Sequence, residues 1–346
     1  MTTSNNKMVK DAPIELTEDE AQLYDRQIRL WGLESQKRLR CARILVIGIK
    51  GLGAEVCKNI ILGGVKSVTM LDHENVTEED SCSQFLAPTT AVGKNRSAAS
   101  LERAQALNPL VDVKVDTDNV ADKSDDFFTE FDVVVATNLP VKELLRLNTI
   151  CRNADIKFFC GDVFGFYGYF FADLQIHEYS EEITVAKAVK PQTNNNKKQK
   201  IEEEKVTRKG TSIFVPLHDV LDIDWTSDDY KHKISKMDCT FFLMRILQCF
   251  RAEMNRNPKT DSVQSDIELL KSIRDKELPK MNVNPDKVPD SLFEMVFSQL
   301  SPVCAIVGGV LAQEIIKTVS QKDAPHNNMF FFNPNTHLGQ IFCLGN

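Results

Sequence analysis

The chain lacks several things, and each absence narrows the options. Its nine cysteines are an odd count, none is paired as C-x-x-C, and the spacing that would gather four zinc ligands is missing. Cys57, Cys160 and Cys343 fall in apolar or strand-like stretches, as expected of reduced, buried thiols in an intracellular protein. No apolar run reaches the roughly 18 residues of a spanning helix, and the opening MTTSNNKMVKDAP carries no apolar signal core. The expectation is a soluble protein that neither enters a membrane nor leaves by the usual signal. A basic excess is also missing: 42 Lys and Arg face 49 Asp and Glu, net −7, which gives no reason to wrap nucleic acid. No internal repeat is visible.

What is present is an ordinary globular composition. With 346 residues, 42% hydrophobic and 26% charged, the chain can bury one large core or two smaller ones. Residues 1–16 read as a polar, mobile tail. Thr17 with Glu20 forms a capping-box signature, and the helix it starts is expected to run to about Arg40. Strands are expected at Arg43–Gly48, Ser67–Asp72, Val111–Val115, Phe131–Ala136, Lys157–Gly161 and Gly165–Leu174. Helices centred on Ala54–Leu62, Asn95–Leu107 and Lys142–Asn153 separate them. This alternation predicts an α/β, Rossmann-like, doubly wound and mainly parallel sheet.

Residues 17–175 are thus the first part of one domain, 176–300 an insertion, and 301–346 the domain's return. Within the insertion, KAVKPQTNNNKKQKIEEEKVTRKG (187–210) holds almost no apolar groups and reads as a flexible basic loop. Its lysines could serve as a nuclear import signal, or simply as a solvated charge run. A strand (Ser212–Leu217) and helices near 237–255, 263–276 and 290–300 follow. Ser301-Pro302 then opens a strongly apolar helix, VCAIVGGVLAQEIIKTV. Gly308 and Gly309 inside it cost about 1 kcal/mol each against alanine, so something should pack very close there. Strands at Asn328–Phe332 and Gln340–Leu344 end the chain.

Two segments carry the chemistry. RILVIGIKGLGAE (43–55) is a strand followed by a phosphate-type glycine turn. Gly48, Gly51 and Gly53 are in place, but the middle glycine of G-x-G-x-x-G is Lys50, whose side chain obstructs close approach of a phosphate. Asp72 stands where a ribose-binding acid belongs. The turn either binds a nucleotide or is purely structural. A nicotinamide oxidoreductase would need a catalytic histidine, yet His177, His218, His232, His326 and His337 form no constellation. YDRQIRLWG (24–32) is the second segment. At about 100° per residue, Tyr24, Ile28 and Trp31 share one stripe while Arg26 and Arg29 lie together on the other side. That geometry can dock the apolar stripe and hold two phosphate-binding forks outward. An ordinary surface helix would look the same.

Together with MLDHENVTEEDSCSQFL (70–86) and GGVLAQEIIK (308–317), these segments resemble the E1 activating enzymes of ubiquitin-like modifiers. The likeness covers roughly 20–175 and 295–345 and is nearest to the smaller, cysteine-less subunit of the SUMO-activating type. It implies an adenylation-type domain of the E1/ThiF class. Active members use ATP with magnesium to attach AMP to the modifier's C-terminal carboxylate, and a cysteine of the larger subunit then takes the modifier as a thioester.

The resemblance also implies losses. Active members carry G-x-G-G-x-G where this chain has Lys50. They carry D-x-D…N-x-x-R-Q-F where it has Asp72, Glu74, Asp80, Ser83, Gln84 and Phe85, without the asparagine and arginine that meet the triphosphate. After the next strand they have a metal-binding aspartate, and here Thr137 and Asn138 stand instead. The chain's own site (Gly48, Gly51, Gly53, Asp72 and Lys94, at the place of a phosphate-contacting lysine) is then vestigial. Arg26 corresponds to the arginine that the inactive half sends into its partner's ATP site, with Arg29 as a secondary contact. Cys239-Thr240 faintly echoes the acceptor-cysteine context but opens an apolar helix and reads as structural. The implied partners are the larger cysteine-bearing subunit, through the docked arginine helix and the Gly308–Gly309 helix, and SUMO through the complex. The implied location is the nucleus, with the cytoplasm as a second place. The alternative is a self-sufficient adenylating enzyme like the sulfur-carrier activators.

Overall fold

The computed structural model describes residues 15–188, 201–336 and 338–345. In chain order its helices and strands are α1 (Glu18–Leu23), α2 (Asp25–Trp31), α3 (Leu33–Leu39), β1 (Arg43–Ile47), α4 (Gly51–Gly63), β2 (Ser67–Leu71), α5 (Arg96–Leu107), β3 (Asp112–Asp116), α6 (Asp125–Phe128), β4 (Val133–Thr137) and α7 (Val141–Asn153). Next come β5 (Lys157–Phe164), β6 (Tyr167–Asp173), β7 (Ile176–Ala188), β8 (Ile201–Ile213), α8 (Leu217–Leu221), α9 (Cys239–Met254), α10 (Val263–Lys280), α11 (Ser301–Ser320), β9 (Met329–Asn333) and β10 (Leu338–Phe342).

Eight strands form one sheet in the order β10-β9-β6-β5-β4-β1-β2-β3. The five from β3 to β5 run parallel, and β6, β9 and β10 extend the sheet antiparallel. Apolar β-branched runs such as ILVI in β1 and VVVA in β4 are what a strand buried on both faces requires. Successive side chains divide between the faces: Leu45 and Ile47 join one core with α7 and α9, and Ile44 and Val46 join the other with α4 and α11. Because β1 is flanked by β2 and β4, the chain reverses direction across the sheet there, and a crevice opens at the carboxyl ends of those strands.

The structure corrects the expected boundaries in four places. The single helix from Thr17 to Arg40 is three short ones: the capping box at Thr17 is present, but Tyr24 and then Gly32, at φ +91°, break the run. Residues 201–210 are not loop. They pair in β8 with β7, register Ile176↔Ile213 through Ala188↔Ile201, in a two-stranded ribbon. Such a ribbon satisfies its backbone across the ladder with almost no apolar burial, and composition could not reveal that. Residues 189–200, with most of the proposed import signal, lie outside the described residues, as does most of the 1–16 tail. The strand expected at 212–217 stops at Ile213, before Pro216 and α8, and the helix expected over 290–300 is only a short 3₁₀ turn, Asp290–Met295. Finally, α11 is long and apolar enough to cross a membrane, yet two-thirds of it is buried, packed against α4, α3 and β6.

Candidate functional site

The crevice is a cleft of about 660 Å³, lined by Lys50, Glu74, Asp80, Ser83, Asn138, Asp162 and Arg251 among others. Strand β1 delivers the glycine turn to its floor. Gly48 has φ +81°, and a Cβ there would strike the Thr137 carbonyl; a Cβ on Gly53 would strike the Gly48 carbonyl. These two glycines are required by the turn itself. Gly51 differs, because the space beside it is filled by the Ser83 hydroxymethyl group and the Cys304 sulfur. Burial pushes the Cys304 thiol up to about 12.

Two backbone donors at the turn are also taken. Ile49 N–H donates to Asp72 Oδ2 at 2.8 Å, and Leu52 N–H, in the first turn of α4, donates to Gln299 Oε1 at 3.3 Å. Free N–H groups at this point are what a phosphate would meet. Thr137, at the place of the metal-binding aspartate, is buried and donates its hydroxyl to Gly48 O at 2.7 Å. Gln84 is consumed too, donating to Ile49 O at 2.8 Å and accepting from Leu86 N–H and Ala87 N–H at 2.6 and 3.0 Å.

Asp72 does stand at the end of β2, but its carboxylate is occupied by Arg96, a residue sequence reasoning missed. Arg96 Nη1 lies 2.8 Å from Asp72 Oδ2 and 3.1 Å from Glu74 Oε2, and its Nε lies 3.2 Å from Asp80 Oδ2. The guanidinium is 1% exposed. Burial lowers the Arg96 pKa, but Asp72 and Asp80 outweigh it and hold the group firmly charged. Glu74 is pushed up by burial and pulled below the ordinary carboxylate range by Lys50 and Arg96. Lys50 itself lies 3.9 Å from Glu74. At the other end of the cleft Arg251 holds Asp162 at 2.5 Å and donates to Leu139 O at 2.8 Å, while Gln299 Nε2 donates to Asp162 at 3.2 Å. The acids and amides of this cleft thus face cations of the same chain.

The arginine helix has the opposite character. Its apolar stripe docks as expected, but onto this chain, which corrects the view that the docked face meets a partner: Tyr24 is buried against Gly64, and Gln27 Nε2 donates to Leu62 O at 3.0 Å. Arg29 is paired with Asp25 one turn back, at 3.0 Å. Arg26 is exposed and makes no hydrogen bond or ion pair with any described residue.

The ThiF family model matches residues 24–345. A "SUMO-activating enzyme subunit 1" of Xenopus laevis is 50% identical over 342 residues, covering 98% of this chain and 99% of the relative. The Homo sapiens protein of that name is 48% identical over 336 residues, covering 95% and 96%. This chain belongs to the ThiF family, in its SUMO-activating enzyme subunit 1 branch. The Danio rerio relative agrees at 48% over 324 residues, covering 92% of both chains. A solved structure, E. coli MccB with succinimide, superposes with TM-score 0.54 over 93% of this chain and 71% of that one; at 12% identity it speaks for the fold alone.

Further residues singled out in the sequence of this SUMO-activating branch member now have positions. Lys94 is exposed on the loop before α5, and Arg96, two residues on, is the one that enters the acidic network. Cys239 is half-buried at the start of α9, where Asn333 Nδ2 lies 3.5 Å from its sulfur. Burial, reinforced by the Asp238 carboxylate, pushes its thiol up to about 11, the reverse of what a nucleophile needs. Cys239→Ala is therefore expected to leave modifier transfer intact in a thioester assay; loss of transfer with normal folding would reverse the assignment. Gly308 lies against Glu55 Cβ of α4, so its close approach is internal, and only Gly309 faces open space. Of the histidines, His177 is buried and pushed by burial and by Lys157 to about 4, which suits packing rather than proton transfer.

Proposed function

We propose that this chain is the half of a heterodimeric SUMO-activating E1 that lacks the acceptor cysteine, and that it serves its partner's pocket rather than its own. ATP and magnesium are held by the larger, cysteine-bearing subunit, which adenylates the modifier's C-terminal carboxylate and takes it as a thioester. Arg26 enters that pocket in trans and Arg29 supports it. Gly48, Gly51, Gly53, Asp72 and Lys94 belong to a relic that binds no nucleotide productively. SUMO meets the chain only through the complex, and the complex works in the nucleus.

The observation that carries this reading is the contrast between two arginines. Arg96 is spent inside the chain's own cleft, while Arg26 is exposed and has no hydrogen bond or ion pair among the described residues. An always-charged fork left unpaired on a docked helix is suited to phosphate oxygens supplied from elsewhere. Leu30, on the same helix α2 as Arg26, is a large apolar side chain left 73% exposed, which supports a partner there.

The test is ATP–pyrophosphate exchange in the presence of SUMO. The purified chain alone is expected to remain at background and the complex with the larger subunit to exchange. Exchange by the isolated chain would favour the self-sufficient adenylating enzyme.

A further inference from the structure

Helix α2 is seven residues long, too short to hold its place by its own hydrogen bonds. Something else must fix Arg26. The last carbonyls of α4 lie beyond the reach of its internal ladder; Ile61 O accepts from the Gly64 N–H of the cap at 3.0 Å, and three side-chain amides reach Ile61, Leu62 and Gly63. Ile61 O accepts from Asn108 Nδ2 at 3.0 Å, Leu62 O from Gln27 Nε2 at 3.0 Å, and Gly63 O from Gln36 Nε2 at 3.1 Å. Gln27 is on α2, next to Arg26. Gln36 is on α3, and its Oε1 accepts from Trp31 Nε1, at the end of α2, at 3.0 Å. Asn108, at the end of α5, also donates to the Tyr24 hydroxyl at 2.9 Å. Gly64, at φ +78°, leaves room for the Tyr24 ring, because a Cβ there would overlap it.

Tyr24, Gln27 and Trp31 sit on one face of α2, spaced as i, i+3 and i+7, and each is tied directly or through one amide to the end of α4. The helix therefore cannot rotate or slide without breaking caps on its neighbour. We infer that Gln27, backed by Gln36 and Asn108, is a positioning residue for Arg26: this amide cap sets the angle and reach at which the arginine leaves the chain. The inference rests on the proposed role of Arg26 in trans.

Displacement of a catalytic group by about 1 Å can cost about 100-fold in rate. Gln27→Ala in the complex with the larger subunit is expected to lower kcat for adenylate formation by about 10- to 100-fold with KM for ATP little changed. The deciding readout is a double-mutant cycle. If Gln27 acts through Arg26, adding Gln27→Ala to Arg26→Ala causes no further loss. An equal loss in both backgrounds, or full kcat for Gln27→Ala while Arg26→Ala is impaired, overturns the positioning role and leaves the in-trans reading standing. Full kcat for Arg26→Ala overturns the in-trans reading itself. Gln36→Ala and Asn108→Ala, compared by melting temperature as well as rate, separate loss of the platform from loss of fold.

Discussion

Arg26→Ala in the complex with the larger subunit is expected to lower the rate of SUMO adenylate formation by about 10³-fold or more, the order seen where an arginine is delivered to a phosphoryl site from outside. The size follows from what Arg26 does not do in the free chain. Among the described residues it has no carboxylate to leave and no hydrogen bond to break, so its charge would be fully available to a pocket it enters. Arg26→Lys should recover only part of the rate, because an ammonium cannot make the fork's two parallel bonds. Arg29→Ala should cost only a few-fold by the same logic: its guanidinium is already answered by Asp25, and at 78% exposure it sits mostly in water. None of the three substitutions should move stability by more than about 0.5 kcal/mol, since neither arginine packs in the core. Single-turnover AMP transfer with matched melting curves checks this. An Arg26→Ala complex that adenylates at the normal rate would remove the arginine from the mechanism.

Much of this was legible from the residues because periodicity and glycine chemistry are local. The strand ILVI, its glycine turn and the acid at position 72 can be read within some thirty residues, as can the stripe of Tyr24, Ile28 and Trp31. What failed to show was long-range pairing. Arg251 reaches Asp162 across 89 positions, and Gln299 meets Leu52 across 247. The ribbon of β7 and β8 failed for a different reason, since its strands hold together by backbone bonds that leave no hydrophobic pattern. Lys94 stands out in the sequence because it falls at the place of a phosphate-contacting lysine in the resembling family, and nothing there singles out Arg96. Helical phase decides the matter, because Asn95 caps α5 and turns the next residue, Arg96, inward.

That inward arginine gives the second large effect. Arg96→Ala is expected to destabilise the fold by about 3–5 kcal/mol, the usual result of removing one side of a buried ion network. The side chain faces Asp72, Glu74 and Asp80 together, so its loss leaves the carboxylates crowded, with Lys50 more distant at 3.9 Å from Glu74. The pH dependence should distinguish this from lost packing. In the native chain Glu74 has a depressed pKa, so its contribution is present above the ordinary carboxylate value and fades as the pH falls through the folded one. In the variant like charges repel, and proton uptake relieves them. The gap between the two proteins should therefore narrow in urea unfolding as the pH falls from 7 to below the ordinary carboxylate value. A constant gap would mean that Arg96 matters only for its volume. Nor should the variant regain nucleotide binding. Asp72 would be released, but Thr137 still closes the turn where a metal-binding acid would stand, and Ser83 and Cys304 still fill the space beside Gly51. Removing Arg96 alone is therefore expected to leave the cleft without nucleotide binding, which nucleotide titration of the variant checks.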